Sequence, residues 1–409
     1  MIRIVLERTL DPYHVLTILK MNKKLEYLFN TNKLQSDLNG LVEEDISNPI
    51  VWRDFLIVSA NIYRYLPDIK PKRYFNLAKE ILFYNQLVVL DQRYFFLLDE
   101  IQIIDEKLCL DELRESSYII TTYHTGSYRL IIPFLLKEKI KFVLVTDEKF
   151  IHDQGKGIHE LQKTLLKSLN ATDSKPLEII SAQDVLLLMK LRDKIEKGYS
   201  VVFYIDGNTG LFKYNINENK LLKIPFLADY IYVRKGIAFL SYLTKTRIIS
   251  FLSERQTDLS NTIHIEPVEC DFSMNRNDFI KVTTSKLYSA LENFLKEMPT
   301  QWEGWKYLNE FNQEKTDEPI KNRILVKDLI GQKLIYNERK FKLIKIPEGF
   351  YSVNYEGFQV IEITELIFSV LLFFTSARKI NQKPIIFNNE RISLTVLKEL
   401  FNLNYLIYV

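Results

Sequence analysis

The chain has 409 residues, which is too long for one small domain and enough for two or three structural units. Hydrophobic residues make up 47% of it and charged residues 26%, a composition that excludes a disordered or collagen-like protein. The 55 basic and 52 acidic residues leave a formal charge of +3, so bulk electrostatics exclude nucleic acid as the expected partner.

The N-terminal region, residues 1–110, is predicted to be an α-helical preface that packs on the core. Charged residues interrupt its opening string MIRIVLERTLDPYH, so no signal-peptide core is expected. Apolar residues then recur at three- and four-residue spacing in HVLTILKMNKKLEYLF and KRYFNLAKEILFYNQLVVLDQRYFFLLDEI, which is typical of helices.

The central region, residues 111–310, shows the pattern of an α/β domain. Four short β-branched or aromatic runs predict buried strands: SSYIITTYH (116–124), KFVLVTD (141–147), GYSVVFYID (198–206) and TRIISFLSE (246–254). Helical patterns lie between them, such as DVLLLMKLRDKIEKG (184–198) and YVRKGIAFLSYLTK (232–245). This alternation predicts a mainly parallel mixed sheet flanked by helices, with the active site at the carboxyl ends of its strands.

A polar stretch, residues 309–323, reads as a linker to a small α+β domain at 324–409. Predicted hairpins, KLIYNERKFKLIK and EGFYSVNYEGFQVIEI, precede a helical run ELIFSVLLFFTSA and a final helix and strand in ISLTVLKELFNLNYLIYV. This order resembles the winged-helix modules of the PqqD type, which hold leader peptides, and the likeness implies a peptide that adds as a strand. A packing or dimerisation unit is the open alternative.

Two features bear on the compartment. Cys109 and Cys270 lie far apart without a Cys-x-x-Cys pair, so unpaired thiols in a reducing, cytoplasmic compartment are expected, and buried packing roles are favoured over nucleophilic ones. The apolar run Leu366–Phe374 is about half of the roughly 20 residues that span a membrane. No transmembrane segment is predicted, and the many tyrosines and phenylalanines leave peripheral membrane contact open.

The string TTYHTGSYR (121–129) carries the clearest chemical signal. His124 ends a predicted strand, and Gly126 and an amphipathic run follow it, an arrangement that suits base catalysis beside an anion site at a helix N-terminus. A packed or solvated histidine is the alternative for such a position.

Further motifs follow His124 in order. They are DVLLLMKLRDKIEKGYSVVFYIDGNTG, KIPFLADYIYVRKGIAFLSYLTKTRIISFLSER and EMPTQWEGWKYL. Together they resemble the lysophospholipid acyltransferase superfamily, in particular the lauroyl and myristoyl acyltransferases of lipid A biosynthesis, over about 190 of the 409 residues. The matching positions are His124, Gly198, Asp206, Pro225, Phe226, Gly236, Arg255, Pro299, Gln301 and Trp302.

The resemblance implies that His124 is the general base of an acyl transfer from a carrier thioester, with acyl carrier protein or coenzyme A as donor and no cofactor. In that family an acidic residue five positions after the histidine orients the imidazole. Position 129 here is arginine, which cannot stabilise an imidazolium. The chain therefore departs from the family at the acid of its histidine motif.

Three carboxylates are candidates for the missing orienting role. Asp147 or Glu148, where the family has a basic residue, would compensate if Arg129 and the acid have exchanged strand ends. A surface ion pair is the alternative for them. Asp206 ends another predicted strand, and plain Asp-Gly turn chemistry is its alternative.

Substrate binding is expected from residues near the same strand ends. Arg255 matches a family position, and Arg129, Arg234 and Gly126 complete the expected set. The arginines could bind the phosphates of phosphopantetheine or coenzyme A, and solvated charges at helix ends are the open alternative. His152 and His159 lie seven residues apart, with Gly155 and Gly157 expected to interrupt a helix there, so no metal site is predicted.

Three functions remain open for the sequence. The first is an acyltransferase of natural-product or lipid biosynthesis whose acceptor is an amine or hydroxyl, with a peptide or carrier-tethered acceptor favoured because no hydrophobic anchor precedes the core. The second is a non-catalytic acyltransferase-fold module that binds an acyl carrier or peptide. The third is a thioester hydrolase or condensing enzyme that uses the same pocket.

Overall fold

The computed structural model describes residues 12–40, 49–168, 177–207, 221–311, 325–346, 349–354, 359–381, 385–387 and 390–408. The α-helices, numbered along the chain, are α1 (Pro12–Asn39), α2 (Pro49–Tyr65), α3 (Tyr74–Asp91), α4 (Leu97–Glu100), α5 (Cys109–Glu115), α6 (Ile131–Lys137), α7 (Glu148–Ser168), α8 (Leu187–Glu196), α9 (Gly236–Thr244), α10 (Arg276–Glu297), α11 (Val326–Leu329), α12 (Glu365–Phe373) and α13 (Leu394–Asn402). Short 3-10 helices are Pro71–Arg73, Tyr128–Leu130, Pro299–Gln301, Glu303–Lys306 and Leu308–Phe311.

The strands are numbered in the same way. They are β1 (Gln102–Ile104), β2 (Ile119–Thr122), β3 (Phe142–Thr146), β4 (Glu178–Ser181), β5 (Ser200–Tyr204), β6 (Leu221–Phe226), β7 (Asp229–Arg234), β8 (Ile248–Arg255), β9 (Asn261–Val268), β10 (Lys333–Tyr336), β11 (Phe341–Ile346), β12 (Gly349–Asn354), β13 (Gln359–Ile363), β14 (Arg378–Lys379), β15 (Ile385–Phe387), β16 (Glu390–Ile392) and β17 (Leu406–Tyr408).

A seven-stranded sheet with the order β1-β9-β8-β2-β5-β3-β4 forms the centre of the fold. The five strands from β8 to β4 are parallel to one another, β9 is antiparallel to β8, and β1 is parallel to β9. Helices flank this sheet. The predicted class, α/β with a mainly parallel mixed sheet, is therefore confirmed.

The described chain divides into two compact units. Unit 1 comprises residues 1–40, 79–226 and 230–304, and unit 2 comprises residues 41–78, 227–229 and 305–409. Unit 1 contains the seven-stranded sheet, and the β-branched residues at the centres of β2, β3, β5 and β8 are almost completely buried against apolar helix residues. This double-sided burial explains why the strands read as continuous apolar runs.

Helix α10 fixes two strand ends of the large sheet. The Asn275 side chain caps the helix by accepting a hydrogen bond from the backbone N–H of Asp278. Farther along, the hydroxyl of Tyr123 donates to the carbonyl of Leu287 at 2.6 Å, and the hydroxyl of Tyr288 donates to the carbonyl of Ile205 at 2.7 Å. The chain segments that follow β2 and β5 are thus both tied to the same helix.

The C-terminal part of unit 2 has its own apolar core between residues 329 and 406. Strands β11, β12 and β13 form one antiparallel sheet, and β14, β10 and β17 form another. Thr364 and Ser393 cap α12 and α13 with their hydroxyls. The likeness of this part to peptide-holding winged-helix modules stays a prediction.

Two local predictions are wrong. KLIYNERKFKLIK was expected to form a hairpin, but its two strands join different sheets: the buried Leu334 and Tyr336 of β10 pair with β17, and β11 pairs along its whole length with β12. Gly155 and Gly157 do not interrupt α7, because a glycine weakens a helix by about 1 kcal/mol without ending it.

Two further predictions concern the linker and the absence of a transmembrane segment. Most of the predicted linker, residues 312–323, lies outside the described residues. Across the ranges that are described, every helix is too short or too polar to cross a membrane.

Candidate active site

The register of the central strands brings His124 and Asp206 together. In the β2–β5 pair, Thr122 is level with Tyr204, and His124 and Asp206 each follow two residues later. Because β2 and β5 are parallel neighbours, both side chains emerge at the same carboxyl edge, one strand spacing of about 4.8 Å apart. Two candidates that lie 82 residues apart in the chain become direct neighbours.

His124 and Asp206 form a dyad. The imidazole Nδ1 of His124 lies 2.8 Å from Oδ1 of Asp206, and the backbone N–H of His124 donates to Oδ2 at 2.9 Å. A carboxylate can only accept, so Nδ1 carries the proton and the neutral ring keeps its lone pair on Nε2. The Asp206 side chain is 1% exposed and that of His124 is 19% exposed, so the ring is the accessible member.

The segment Gln301–Glu303 packs against both members of the dyad. The indole N–H of Trp302 donates to Oδ2 of Asp206 at 2.6 Å. The backbone N–H of Glu303 donates to the carbonyl of His124 at 3.0 Å, and Thr125 forms an isolated β-bridge with Trp302. The loop that carries the histidine is therefore paired along its backbone with a segment almost 180 residues away.

Two tyrosine rings pack on the His124 imidazole. The ring centroids of Tyr128 and Tyr204 lie 4.7 Å and 5.0 Å from that of the imidazole. The Tyr204 hydroxyl donates to the carbonyl of Tyr128 at 3.1 Å, and the Tyr128 hydroxyl donates to Oε2 of Glu303 at 2.6 Å. These contacts restrict the ring plane of His124 to one orientation.

The pKa of His124 reflects opposing effects. Burial favours the neutral ring and lowers the pKa, but the charge of Asp206 and its hydrogen bond favour the imidazolium, and Glu303 adds to them. Arg129 opposes the two carboxylates. The net result is a His124 pKa raised above its ordinary value of 6.5.

Arg129 does not pair with either carboxylate that was expected to have exchanged places with it. Its Nη1 donates to Oε1 of Gln92 at 3.1 Å, and its Nε donates to the Tyr128 hydroxyl at 3.3 Å. The guanidinium also lies 5.8 Å from the centroid of the Tyr128 ring. Arg129 thus lies next to the dyad and hydrogen-bonds to neutral partners. This corrects the hypothesis that Arg129 and an acid at position 147 or 148 have exchanged strand ends.

Asp147 and Glu148 have local roles at the start of α7. Asp147 follows β3, so β5 separates it from β2 in the sheet, and its Oδ1 accepts the backbone N–H of Phe150 as a helix cap does. Glu148 is exposed, and its backbone N–H donates to Gln183. The carboxylate that the fold brings to His124 is Asp206.

The Arg255 side chain is buried inside the protein and is not accessible to a substrate. Its side chain is 1% exposed and forms an ion pair with Asp91, which is 0% exposed. It also donates to the Ser127 hydroxyl and to the carbonyl of Leu259. A guanidinium buried in this way has no face for the phosphate of a substrate, which corrects the binding role expected from its position in the motif.

Gly126 also has a structural role. Its φ is +50°, and a Cβ there would lie 2.5 Å from the carbonyl oxygen of Ser253. Its N–H, which was expected to face a substrate anion, already donates to the carbonyl of Gln301 at 3.0 Å. Gly126 therefore lets the histidine loop pack against β8, a role that corrects the expected one.

Arg234 is the cation that stays exposed among those expected to bind substrate. It ends β7 and acts electrostatically on Tyr288, the residue that holds the carbonyl of Ile205 next to Asp206. Substrate binding by Arg234 stays a prediction.

The three histidines outside the dyad whose side chains are described lie apart from one another. His152 and His159 are exposed on α7, and His152 contacts the neighbouring Asp153. His264 bonds Glu254 across the β8–β9 pair. Within the described ranges, no group of three or more histidine, cysteine, aspartate or glutamate residues could hold a metal ion.

Four residues of the site were not singled out as site residues from the sequence: Tyr128, Tyr204, Trp302 and Glu303. Trp302 had a signal, since it belongs to the Pro-x-Gln-Trp string of the acyltransferase resemblance. Tyr128 and Tyr204 had no such signal in the sequence, because buried rings of this kind are common in any core.

No family model matches the chain, and no curated protein sequence matches it. The resemblance to acyltransferases therefore depends on the order of the motif residues alone.

Proposed function

We propose that the chain is an acyltransferase that moves an acyl group from a carrier thioester to an amine or hydroxyl, with His124 as general base. The observation that supports this most directly is the His124–Asp206 dyad. Asp206 holds the Nδ1–H tautomer, so the lone pair of Nε2 is the basic site, and the imidazole is partly exposed.

The chemistry follows from this tautomer. Nε2 of His124 takes the proton of the acceptor N–H or O–H while the acceptor atom attacks the thioester carbonyl carbon. The carbon–sulfur bond then breaks, and the imidazolium returns its proton to the leaving thiolate. Asp206 stabilises the imidazolium between these steps, which agrees with the raised pKa of His124.

The donor class in this proposal is an acyl thioester of an acyl carrier protein or coenzyme A, and the acceptor is a peptide or a carrier-tethered group. No further cofactor is needed, because the base is a side chain and the acyl group arrives activated. The proposal includes a cytoplasmic location, since the thiols of Cys109 and Cys270 are unpaired and such thiols persist in a reducing compartment.

The test is mass spectrometry of the purified chain with acyl-carrier and acyl-coenzyme A thioesters and a panel of amines, hydroxyls and peptides. The expected result is an acylated acceptor with the wild type and loss of this product with His124→Ala. Asp206→Asn should retain the fold and lose activity by about 10²- to 10⁴-fold. The exposed His152→Ala is the matched control and should keep full activity.

Two outcomes would replace the proposal. Release of free acid without any acceptor product would make the chain a thioester hydrolase with water in the acceptor position. Tight binding of the carrier with no turnover, unchanged in His124→Ala, would make it a binding module.

A further inference from the structure

Asp206 is a buried carboxylate with three hydrogen-bond donors. Oδ1 lies against the ring of His124, while Oδ2 accepts the backbone N–H of His124 and the indole N–H of Trp302. The two contacts from His124 come from one residue of the same dyad. Trp302 is therefore the donor from outside the dyad, and its position determines the orientation of the Asp206 carboxylate.

The Trp302 side chain is itself held from several directions. Gln301 before it exchanges two hydrogen bonds with the backbone of Arg255, at 2.8 Å and 2.6 Å. Gly304 after it has no room for a Cβ, which would lie 2.1 Å from the indole ring. The ring also packs at 6.0 Å from Phe226, and the side chain is 2% exposed. The indole cannot turn away from Asp206 without moving these neighbours.

We propose that Trp302 is a positioning residue: its indole N–H fixes the Asp206 carboxylate in the orientation that holds His124 in its Nδ1–H form. This inference rests on the proposed general-base role of His124. The indole N–H of Trp302 donates to Asp206, so it acts on His124 through this carboxylate. An indole suits the task because it only donates and has a rigid ring, so it cannot compete for the proton between the two members of the dyad.

A packing role alone would need the ring and not the N–H. Trp302→Phe separates the two roles, because phenylalanine keeps most of the apolar contact with Phe226 and removes the donor. Without that donor, Oδ2 of Asp206 keeps more of its negative charge for the imidazolium, and the carboxylate is free to rotate. The variant keeps the charged groups that face His124 from the other elements, Asp206, Glu303 and Arg129, and the two tyrosine rings that pack on it, Tyr128 and Tyr204.

The first experiment is an NMR titration of ¹³C-histidine-labelled protein, with His124 assigned from His124→Ala. In Trp302→Phe, the pKa of His124 should rise by roughly half a unit or more. With an acyl acceptor found, kcat should fall by about 10- to 100-fold, the scale for a misplaced catalytic group, with little change in KM. Trp305→Phe removes a buried indole from unit 2 and should move neither quantity.

A second measurement covers the case in which Trp302→Phe does not fold. In ¹⁵N-labelled wild-type protein, the Trp302 indole proton should resonate downfield and exchange slowly, and it should move upfield in Asp206→Asn. An indole signal that is the same in both proteins would overturn the proposal. So would a folded Trp302→Phe with the His124 pKa of the wild type. Both readouts need no substrate, so they stand apart from the test of acyl transfer.

Discussion

His124 combines a partly exposed ring with a fully buried carboxylate partner. Hydrogen bonds and neighbouring rings fix one nitrogen of the imidazole and its plane, while Nε2 receives no hydrogen bond from the described residues. A solvated surface histidine would have neither restraint. In the proposed reaction, this combination leaves Nε2 accessible while the protein controls the protonation state of the ring.

The pH dependence of turnover should report the pKa of His124. The neutral ring is the active form of a base, so kcat/KM should rise with pH, with a midpoint above 6.5 because Asp206 and Glu303 raise this pKa. In Asp206→Asn the carboxylate is gone while burial remains, so the midpoint should fall. A pH–rate profile of both proteins checks this, and an unchanged midpoint in Asp206→Asn would contradict it.

The same shift links pH to folding. Since the pKa of His124 is higher in the folded chain than in the unfolded chain, the dyad contributes its full stabilisation below about pH 6.5. This contribution is lost as pH rises through the raised folded pKa. Chemical unfolding of the wild type and of His124→Asn from pH 5 to 9 should show a difference in unfolding free energy that shrinks with rising pH. A difference that grows with pH would refute the linkage.

Gly126→Ala should destabilise the histidine loop. A Cβ at this position would lie 2.5 Å from a backbone oxygen of Ser253, and the φ of +50° is strained for alanine. We expect a loss of about 1 to 3 kcal/mol in unfolding free energy and impaired turnover. Gly157→Ala is the control, because a Cβ there meets nothing within 4 Å and should stabilise α7. Equal melting temperatures for the two variants would show that the loop relaxes freely.

At this scale the sequence predicted His124 and Asp206, because each follows a clear apolar strand. It could not choose among Asp206, Asp147 and Glu148, because that choice depends on strand order and register. Trp302 and Glu303 come from a segment far along the chain, and only the folded loop brings them to the dyad.

Among the elements, a buried ion pair joins the end of α3 to the end of β8. Asp91 and Arg255 are both almost inaccessible, and Tyr27 of α1 and Ser127 of the histidine loop hydrogen-bond to the same carboxylate. Two helices, a strand and a loop therefore share one charged group. The Nε atom of Arg255 is buried without a described partner, which makes the pair sensitive to any loss of acceptors.

Asp91→Ala should destabilise unit 1 strongly. It leaves the Arg255 guanidinium buried without its carboxylate, a change that costs about 3 to 5 kcal/mol in known cases. The exposed pair Lys24–Glu100 provides the control, and Glu100→Gln should cost no more than about 1 kcal/mol. Urea unfolding of the three proteins measures both effects, and similar midpoints for the two variants would contradict a structural role for the buried pair.

Four of the seven strands in the large sheet were predicted from their apolar runs, and each lies within its predicted range to one residue. The strand β9 was not predicted, because NTIHIEPV mixes a histidine, a glutamate and a proline into a short run. Strands β1 and β4 lie at the two edges of the sheet, and their short runs, QII and EIIS, each begin with an exposed polar residue and give no period. The apolar pattern of the sequence therefore did not predict the β1–β9 side of the sheet, where the parallel order is broken.

For the whole molecule, the separate apolar core of residues 329–406 has a direct consequence. We expect a fragment of residues 325–409 to fold by itself, because its buried side chains pack on one another. Dispersed amide resonances and a cooperative thermal transition would confirm this. Leu397→Ala, at a fully buried position, should lower the unfolding free energy of the fragment by about 2 to 5 kcal/mol. A fragment without dispersed resonances would show that its core needs the rest of unit 2.

The long sequence separations in the site also set a time order for its formation. His124 leaves the ribosome 82 residues before Asp206, and Trp302 follows Asp206 by another 96 residues. Synthesis proceeds from the N-terminus, so the nascent chain carries its histidine long before it carries the residues that orient it. An unfinished chain that stops short of Trp302 lacks the complete dyad environment, and translation to that point is the first moment at which the site can assemble.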